Sequence, residues 1–191
     1  MTVLSPPRPA VIDRALRDAK RWCAGHTIED RPALVHAVRV AVTIGDHAPT
    51  APAEVVVAAL LHDAPDLVPK GMDIYQVLTS SYGYEVSRII AALHAEHQAL
   101  DAPDPPIRVE DYPVLLASTA DKIVALTSLW RRARATGDVT AFLTRRPVLC
   151  GLLPHFRAFQ QAARVWVPAS MSAHLDAALA QLERAAAAGA R

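Results

Sequence analysis

Four side chains that are able to bind metal, His36, His62, Asp63 and Asp121, each interrupt or end a run of apolar residues. Such runs are typically buried, and burial of an ionised carboxylate is costly unless the carboxylate is paired or bound to a cation. A fold that brings the two imidazoles and two carboxylates together would form a nitrogen and oxygen site. Such a site suits a divalent ion of the Mn, Fe, Co, Ni or Zn type.

Apolar residues recur with helical periodicity along the chain, and no alternating pattern of convincing length predicts a β-strand. Glycine and proline mark the predicted helix ends, including an end of the second helix at Gly45. We predict an all-α, single-domain bundle of about seven to nine helices, with a disordered segment at 1–10 and the domain at 11–188. The helices are expected near residues 9–25, 32–44, 50–63, 73–80, 84–100, 113–135, 147–165 and 170–188.

Composition excludes several classes of protein. The 191 residues fit one domain, and a hydrophobic content of 52% argues against disorder. The net charge of +1 gives no electrostatic reason to expect a nucleic-acid or membrane-surface partner. The two cysteines are far apart in the sequence, and neither a membrane-spanning run nor a signal peptide is apparent. A cytoplasmic protein is therefore predicted, and nothing in the sequence predicts its oligomeric state.

Three segments carry a family resemblance. Residues 58–63 read AALLHD, residues 81–86 read SYGYEV and residues 119–123 read TADKI. In this order, with His36 upstream, they resemble the AALLHD, RFGEEV and LADRL or LADKL motifs of the HD-domain metal-dependent phosphohydrolases. Within that superfamily the closest resemblance is to the guanosine tetraphosphate (ppGpp) hydrolase domains of the RelA/SpoT type and their small stand-alone relatives. It extends from about Ala15 to about Leu182.

The resemblance implies a function. His36, His62, Asp63 and Asp121 would hold one divalent transition metal, with Mn²⁺ as the implied ion. Asp66 matches an acidic position of the family and would be the catalytic base, although an aspartate between two prolines is also typical of a turn. The implied substrate is a small phosphorylated nucleotide. If the family's function is retained, the reaction removes pyrophosphate from the 3′ position of ppGpp.

The chain also departs from the ppGpp hydrolases. Their Glu-Asp dipeptide after the histidine is replaced by Asp66 and Leu67, and their motif lysine and asparagine are replaced by Ser118 and Ala125. The basic stretch before the first histidine is reduced to the mixed-charge residues 25–31. Two alternatives therefore stay open. One is a 5′-nucleotidase on the same scaffold, and the other is a degenerate HD protein that binds metal and ligand without turnover. No substrate-binding residues are predicted.

Two further pairs have alternative interpretations. His94 and His97 are three residues apart on a predicted helix, where they would either bind a second metal or form a solvated helix end. Lys122 and Arg39 follow presumed metal ligands closely in sequence. Each would either contact a phosphate or be solvated or ion-paired, and the second interpretation is favoured.

Overall fold

A computed structural model describes residues 2–28 and 31–189 of the chain. Ten helices lie in these ranges, and nine of them have six residues or more. They are α1 (Ala10–Trp22), α2 (Ala33–His47), α3 (Ala53–Leu61), α4 (Ala64–Leu67), α5 (Ile74–Tyr82), α6 (Tyr84–Ala99), α7 (Tyr112–Ala135), α8 (Val139–Thr144), α9 (Pro147–Ala163) and α10 (Ala169–Gly189). The predicted all-α bundle is confirmed.

The β-structure in the described ranges is a pair of two-residue strands before α2. Strand β1 (Thr27–Ile28) pairs in antiparallel fashion with β2 (Arg31–Pro32). Glu29 and Asp30, which belong to the mixed-charge segment singled out in the sequence, lie outside the described residues.

Several helix starts follow from local capping. The side chains of Asp73, Asp111 and Asp138 accept hydrogen bonds from backbone N–H groups in the first turns of α5, α7 and α8. Such caps satisfy N–H groups that have no partner within the helix. Gly83 separates α5 from α6 with a φ of 88°, a conformation that glycine adopts without steric cost.

The predicted end of the second helix at Gly45 is wrong, because α2 continues to His47. A Cβ atom at position 45 would lie 2.6 Å from the Cβ of Val3, so this glycine permits close packing of the N-terminal segment. The division into a disordered segment 1–10 and a domain 11–188 stays a prediction. In the structure, Val3 and Leu4 nonetheless pack against the core.

The centre of the molecule is formed by α3 and α7. All seven residues from 55 to 61 in α3 are buried, and α7 packs against α2, α3, α6, α8, α9 and α10. This arrangement places the end of α3 beside the middle of α7. Helices α2 and α6 each pack against both α3 and α7. Among the described helices, none combines the length and the apolarity that crossing a bilayer requires.

Candidate metal centre

Three central helices position the four residues expected to bind metal. His36 lies in the first turn of α2, and Asp121 lies in the buried middle of α7. Helix α3 ends at Leu61, so His62 and Asp63 occupy the break before α4 begins at Ala64. Adjacent residues within a helix point about 100° apart. In this break, the two neighbouring side chains lie close to each other and to the other helices.

Interatomic distances show which side chains meet. His36 Nε2 lies 2.8 Å from Asp121 Oδ1, and His62 Nε2 lies 3.6 Å from the same oxygen. His62 Nε2 is also 3.3 Å from Asp63 Oδ1. One ligand atom from each of His36, His62 and Asp121 falls within 4.8 Å of the others, while Asp63 adjoins this three-residue group through His62.

The spacing and the chemistry of these atoms fit a metal ion. Two ligands of one ion lie roughly 3 to 4 Å apart, because each lies about 2.0–2.3 Å from the ion. The ring orientation of His62 also fits, because its Nδ1–H donates to the carbonyl oxygen of Ala59 at 2.9 Å. That hydrogen bond leaves Nε2 as the atom with the free lone pair, as in many metal-binding histidines.

Two buried polar atoms at this place lack hydrogen-bond partners. They are Nε2 of His62 and Oδ2 of Asp63. A buried polar atom without a partner costs about 1–3 kcal/mol, and more when it is charged. A cation between these atoms would remove that cost.

The electrostatics of the cluster also favour a cation. Burial by itself would lower the pKa of His62, but the negative charges of Asp63 and Asp121 outweigh it and raise the pKa to about 10. Burial would raise the pKa of Asp121, but contacts with His36, His62 and His97 hold it well below its usual value. The buried carboxylates thus require positive charge nearby, supplied either by protons on the histidines or by a metal ion.

His97 is a member of this cluster that the sequence did not single out as a first-choice ligand. Its Nε2–H donates to Asp121 Oδ2 at 3.0 Å, and its ring centroid lies 5.9 Å from that of His62. The sequence signal for His97 was its position three residues after His94, which led to the alternative that the two bind a second metal. His94 itself points to different partners: its Nδ1 is hydrogen-bonded to the Tyr75 hydroxyl at 2.7 Å.

Asp66, the predicted catalytic base, lies apart from the three-residue group. Its carboxylate is 62% exposed and its Oδ1 lies 3.3 Å from His94 Nε2. Among the described residues that line the cavity at the metal centre, Asp66 is absent. Its catalytic role stays a prediction.

Lys122 is ion-paired, which agrees with the interpretation that the sequence favoured. Its side chain is 5% exposed, its Nζ donates to Glu96 Oε1 and to Ser118 Oγ, and it lies 4.4 Å from the centroid of the Phe159 ring. Burial would raise the pKa of Glu96, but the charge and hydrogen bond of Lys122 outweigh it and lower the pKa. Ser118, where the ppGpp hydrolases carry lysine, therefore has a lysine amine 2.9 Å away.

A cavity of about 350 Å³ opens beside the cluster. His36, Asp63, His97 and Asp121 line one part of it, and Arg39 lies one helical turn beyond His36. Arg39 forms no ion pair with any residue in the ranges 2–28 and 31–189. Arg39 lines the cavity and is half-buried, so its favoured interpretation as a solvated residue stays a prediction.

Comparisons with known proteins bear on the fold. A scan against models of protein families found no match, and a search of curated proteins found none either. A solved structure, described as a metazoan ortholog of SpoT that hydrolyses ppGpp and plays a role in starvation responses, matches with a TM-score of 0.66. The chain has the HD-type fold. The alignment covers 93% of this chain and 98% of that chain, at 16% sequence identity.

Proposed function

We propose that the chain is a metal-dependent phosphohydrolase that acts on small phosphate or pyrophosphate esters, nucleotides among them. The observation that supports the proposal is the pair of buried atoms without a hydrogen bond, His62 Nε2 and Asp63 Oδ2, beside Asp121 and His36. The hydrolysis of ppGpp by the structural neighbour is consistent with this class of reaction.

In this proposal, His36, His62, Asp63 and Asp121 hold one divalent ion, with Mn²⁺ as the candidate. When bound, the ion supplies positive charge that neutralises the charge developing on the phosphoryl oxygens, which is a large part of catalysis in such transfers. His97 holds Asp121 in place through its hydrogen bond to Oδ2. Arg39, at the same cavity, pairs with a phosphate oxygen of the substrate.

Removal of the basicity of Asp66 tests its assigned role. Asp66→Asn keeps the shape of the side chain, so a general base at this position would be lost without loss of metal. We expect kcat to fall by on the order of 100-fold or more, with metal content unchanged. Steady-state kinetics and elemental analysis of the same preparation provide the two measurements. Asp101→Asn, in an exposed loop, is the matched control, and unaltered turnover by a fully metal-loaded Asp66→Asn protein would show that Asp66 is structural.

A second candidate function is ligand binding without turnover. It is favoured by the position of Asp66, which contacts His94 instead of lining the cavity, and by Leu67, which offers no second acid. Release of phosphate or pyrophosphate that depends on added metal, from any substrate, would exclude this candidate.

A nucleotide panel tests both the proposal and its specificity. Mn²⁺-loaded protein is incubated with ppGpp, GTP, GDP and the 5′-monophosphates, and phosphate and pyrophosphate are quantified. We expect slow hydrolysis of several nucleotides. A preference for ppGpp is expected to stay below about a thousandfold, or about 4 kcal/mol, because Leu67, Ser118 and Ala125 offer no free polar group whose loss of a partner would penalise an analogue. A larger preference would mean that other residues recognise the nucleotide.

A further inference from the structure

The cavity beside the metal centre is lined mostly by apolar side chains, and those contributed by α6, α7 and α9 are here called the apolar lobe. Its walls come from the end of α6, from α7 and from α9, and they consist of Leu100, Ala125, Leu129, Leu149, Leu152 and Phe156. The three α9 residues lie on one face of that helix, because they are spaced by three and four positions. The lobe belongs to the same cavity that His36, Asp63 and Asp121 line, so a single small molecule can contact both parts.

The side chains of this cavity include few polar groups near the lobe. Asp63 and Asp121 belong to the metal centre, and the Lys122 amine is occupied by Glu96 and Ser118. Arg31 and Arg39 are cations of the lining, and Ser128, next to Leu129 on α7, adds one hydroxyl group. Among the described residues that line the cavity there is no asparagine, glutamine, glutamate or tyrosine. A nucleobase carries several donors and acceptors along its edge, and each needs a partner when it is buried. Beside the lobe, the hydroxyl of Ser128 is the one side-chain partner among the described lining residues of α6, α7 and α9 that is neither at the metal centre nor occupied by an ion pair, which is too few for a nucleobase edge.

The size of the cavity also favours a ligand that is smaller than a nucleotide. Pockets for small molecules span about 300–1,000 Å³, and a cavity of about 350 Å³ is near the lower end of that range. It fits a compact ester better than a nucleoside that carries two pyrophosphate groups. The substrate that matches both its size and its lining has a phosphate at one end and a small apolar group at the other.

We infer that the substrates preferred by this site are phosphate esters of apolar alcohols, alkyl or aryl, whose organic group fills the apolar lobe while the phosphate lies at the metal centre. This inference rests on the proposed function. It concerns the leaving alcohol, which the HD-type fold does not specify. Hydrolysis cleaves the bond between phosphorus and the ester oxygen, water supplies the hydroxyl group retained on phosphate, and the alcohol leaves with a proton.

Chain length provides the test. In an apolar pocket, one methylene changes kcat/KM by about 10-fold or more. With Mn²⁺-loaded protein and monoalkyl phosphates from methyl to hexyl, we expect kcat/KM to rise at least about 10-fold between methyl and butyl phosphate. Benzyl phosphate, a primary alkyl ester like ribose 5-phosphate, should exceed it by a similar factor. A flat profile, or a preference for the sugar phosphate, would overturn the inference while leaving the proposed function intact.

A binding measurement separates failure of the inference from failure of the proposed function. Alkylphosphonates are not hydrolysed, and their affinity is measured by titration calorimetry on the full chain with and without Mn²⁺. Affinity that rises with chain length supports the apolar lobe even if every ester in the kinetic series is inert. Affinity that is independent of chain length overturns it, whatever the kinetics show.

Variants of the lobe assign the effect to its residues. Ala125→Leu adds bulk to the wall, so the preferred alkyl chain should become shorter by one or more methylenes, a change that loss of stability alone would not produce. Leu152→Asn should reduce the difference between methyl and butyl phosphate. Val148→Asn is the matched control, because Val148 lies on the same helix and is 76% exposed. An unchanged chain-length profile in the folded Ala125→Leu protein would show that the alcohol binds elsewhere.

Discussion

Replacement of His62 by alanine is expected to abolish the binding of the divalent metal and any phosphohydrolase activity with it. His62 is almost fully buried, and its Nε2 adjoins one oxygen of Asp63 and one of Asp121. Loss of a side chain that only supports a metal ligand weakens metal affinity by about 10- to 100-fold. Loss of His62 itself should therefore weaken it by at least about 100-fold.

Metal content and thermal stability both report the effect. Wild-type protein incubated with Mn²⁺ and desalted should retain about one equivalent, whereas His62→Ala should retain none. Added Mn²⁺ at about 100 times its Kd should stabilise the wild type by about 2.7 kcal/mol and leave the variant unchanged. His174→Ala is the control, because His174 contacts His47 and lies outside the cluster. Full metal retention by His62→Ala would place the ion elsewhere.

The helices were predictable where apolar periodicity is long, and less so where tertiary packing decides. Gly45 is a helix terminator by local rules, yet it lies inside α2, where Val3 occupies the space that a side chain would fill. Helix α8 has six residues after the Asp138 cap, too few to show a periodic pattern. The single turn α4, after Asp63, was missed for the same reason.

The residues of the candidate site were predictable from the order of the family motifs along the chain. They were not predictable from the number of residues between them. His36 and Asp121 are far apart in sequence, and their contact depends on how α2 packs on α7. His94 and His97 were treated as a pair because residues three apart share a helix face, but their side chains still diverge by about 60° around the axis and about 4.5 Å along it. The two rings consequently meet different partners, Asp66 and Asp121. The exposed position of Asp66 follows from the turn at α4, whose direction cannot be derived from residue identities.

The second large effect is expected at the buried pair of Lys122 and Glu96. Lys122→Met keeps most of the apolar stem of the side chain and removes the ammonium group, which lies 4.4 Å from the centroid of the Phe159 ring. Glu96, whose side chain is 19% exposed, would then be an unpaired carboxylate beside Ser118. Breaking a buried ion pair on one side costs about 3–5 kcal/mol. We expect the free energy of unfolding, measured with urea, to fall by about 3 kcal/mol, the lower end because the pair is not fully enclosed.

Removal of both charges should restore most of that stability. Replacement of a whole buried pair by apolar residues of similar volume is often neutral or stabilising, so Lys122→Met combined with Glu96→Leu should unfold within about 1 kcal/mol of the wild type. Lys70→Met, on the exposed turn before α5, should change stability by less than about 0.5 kcal/mol. A double variant as unstable as Lys122→Met alone would show that the loss comes from the missing contact between the ammonium group and the Phe159 ring. The cost would then not lie in the isolated charge of Glu96.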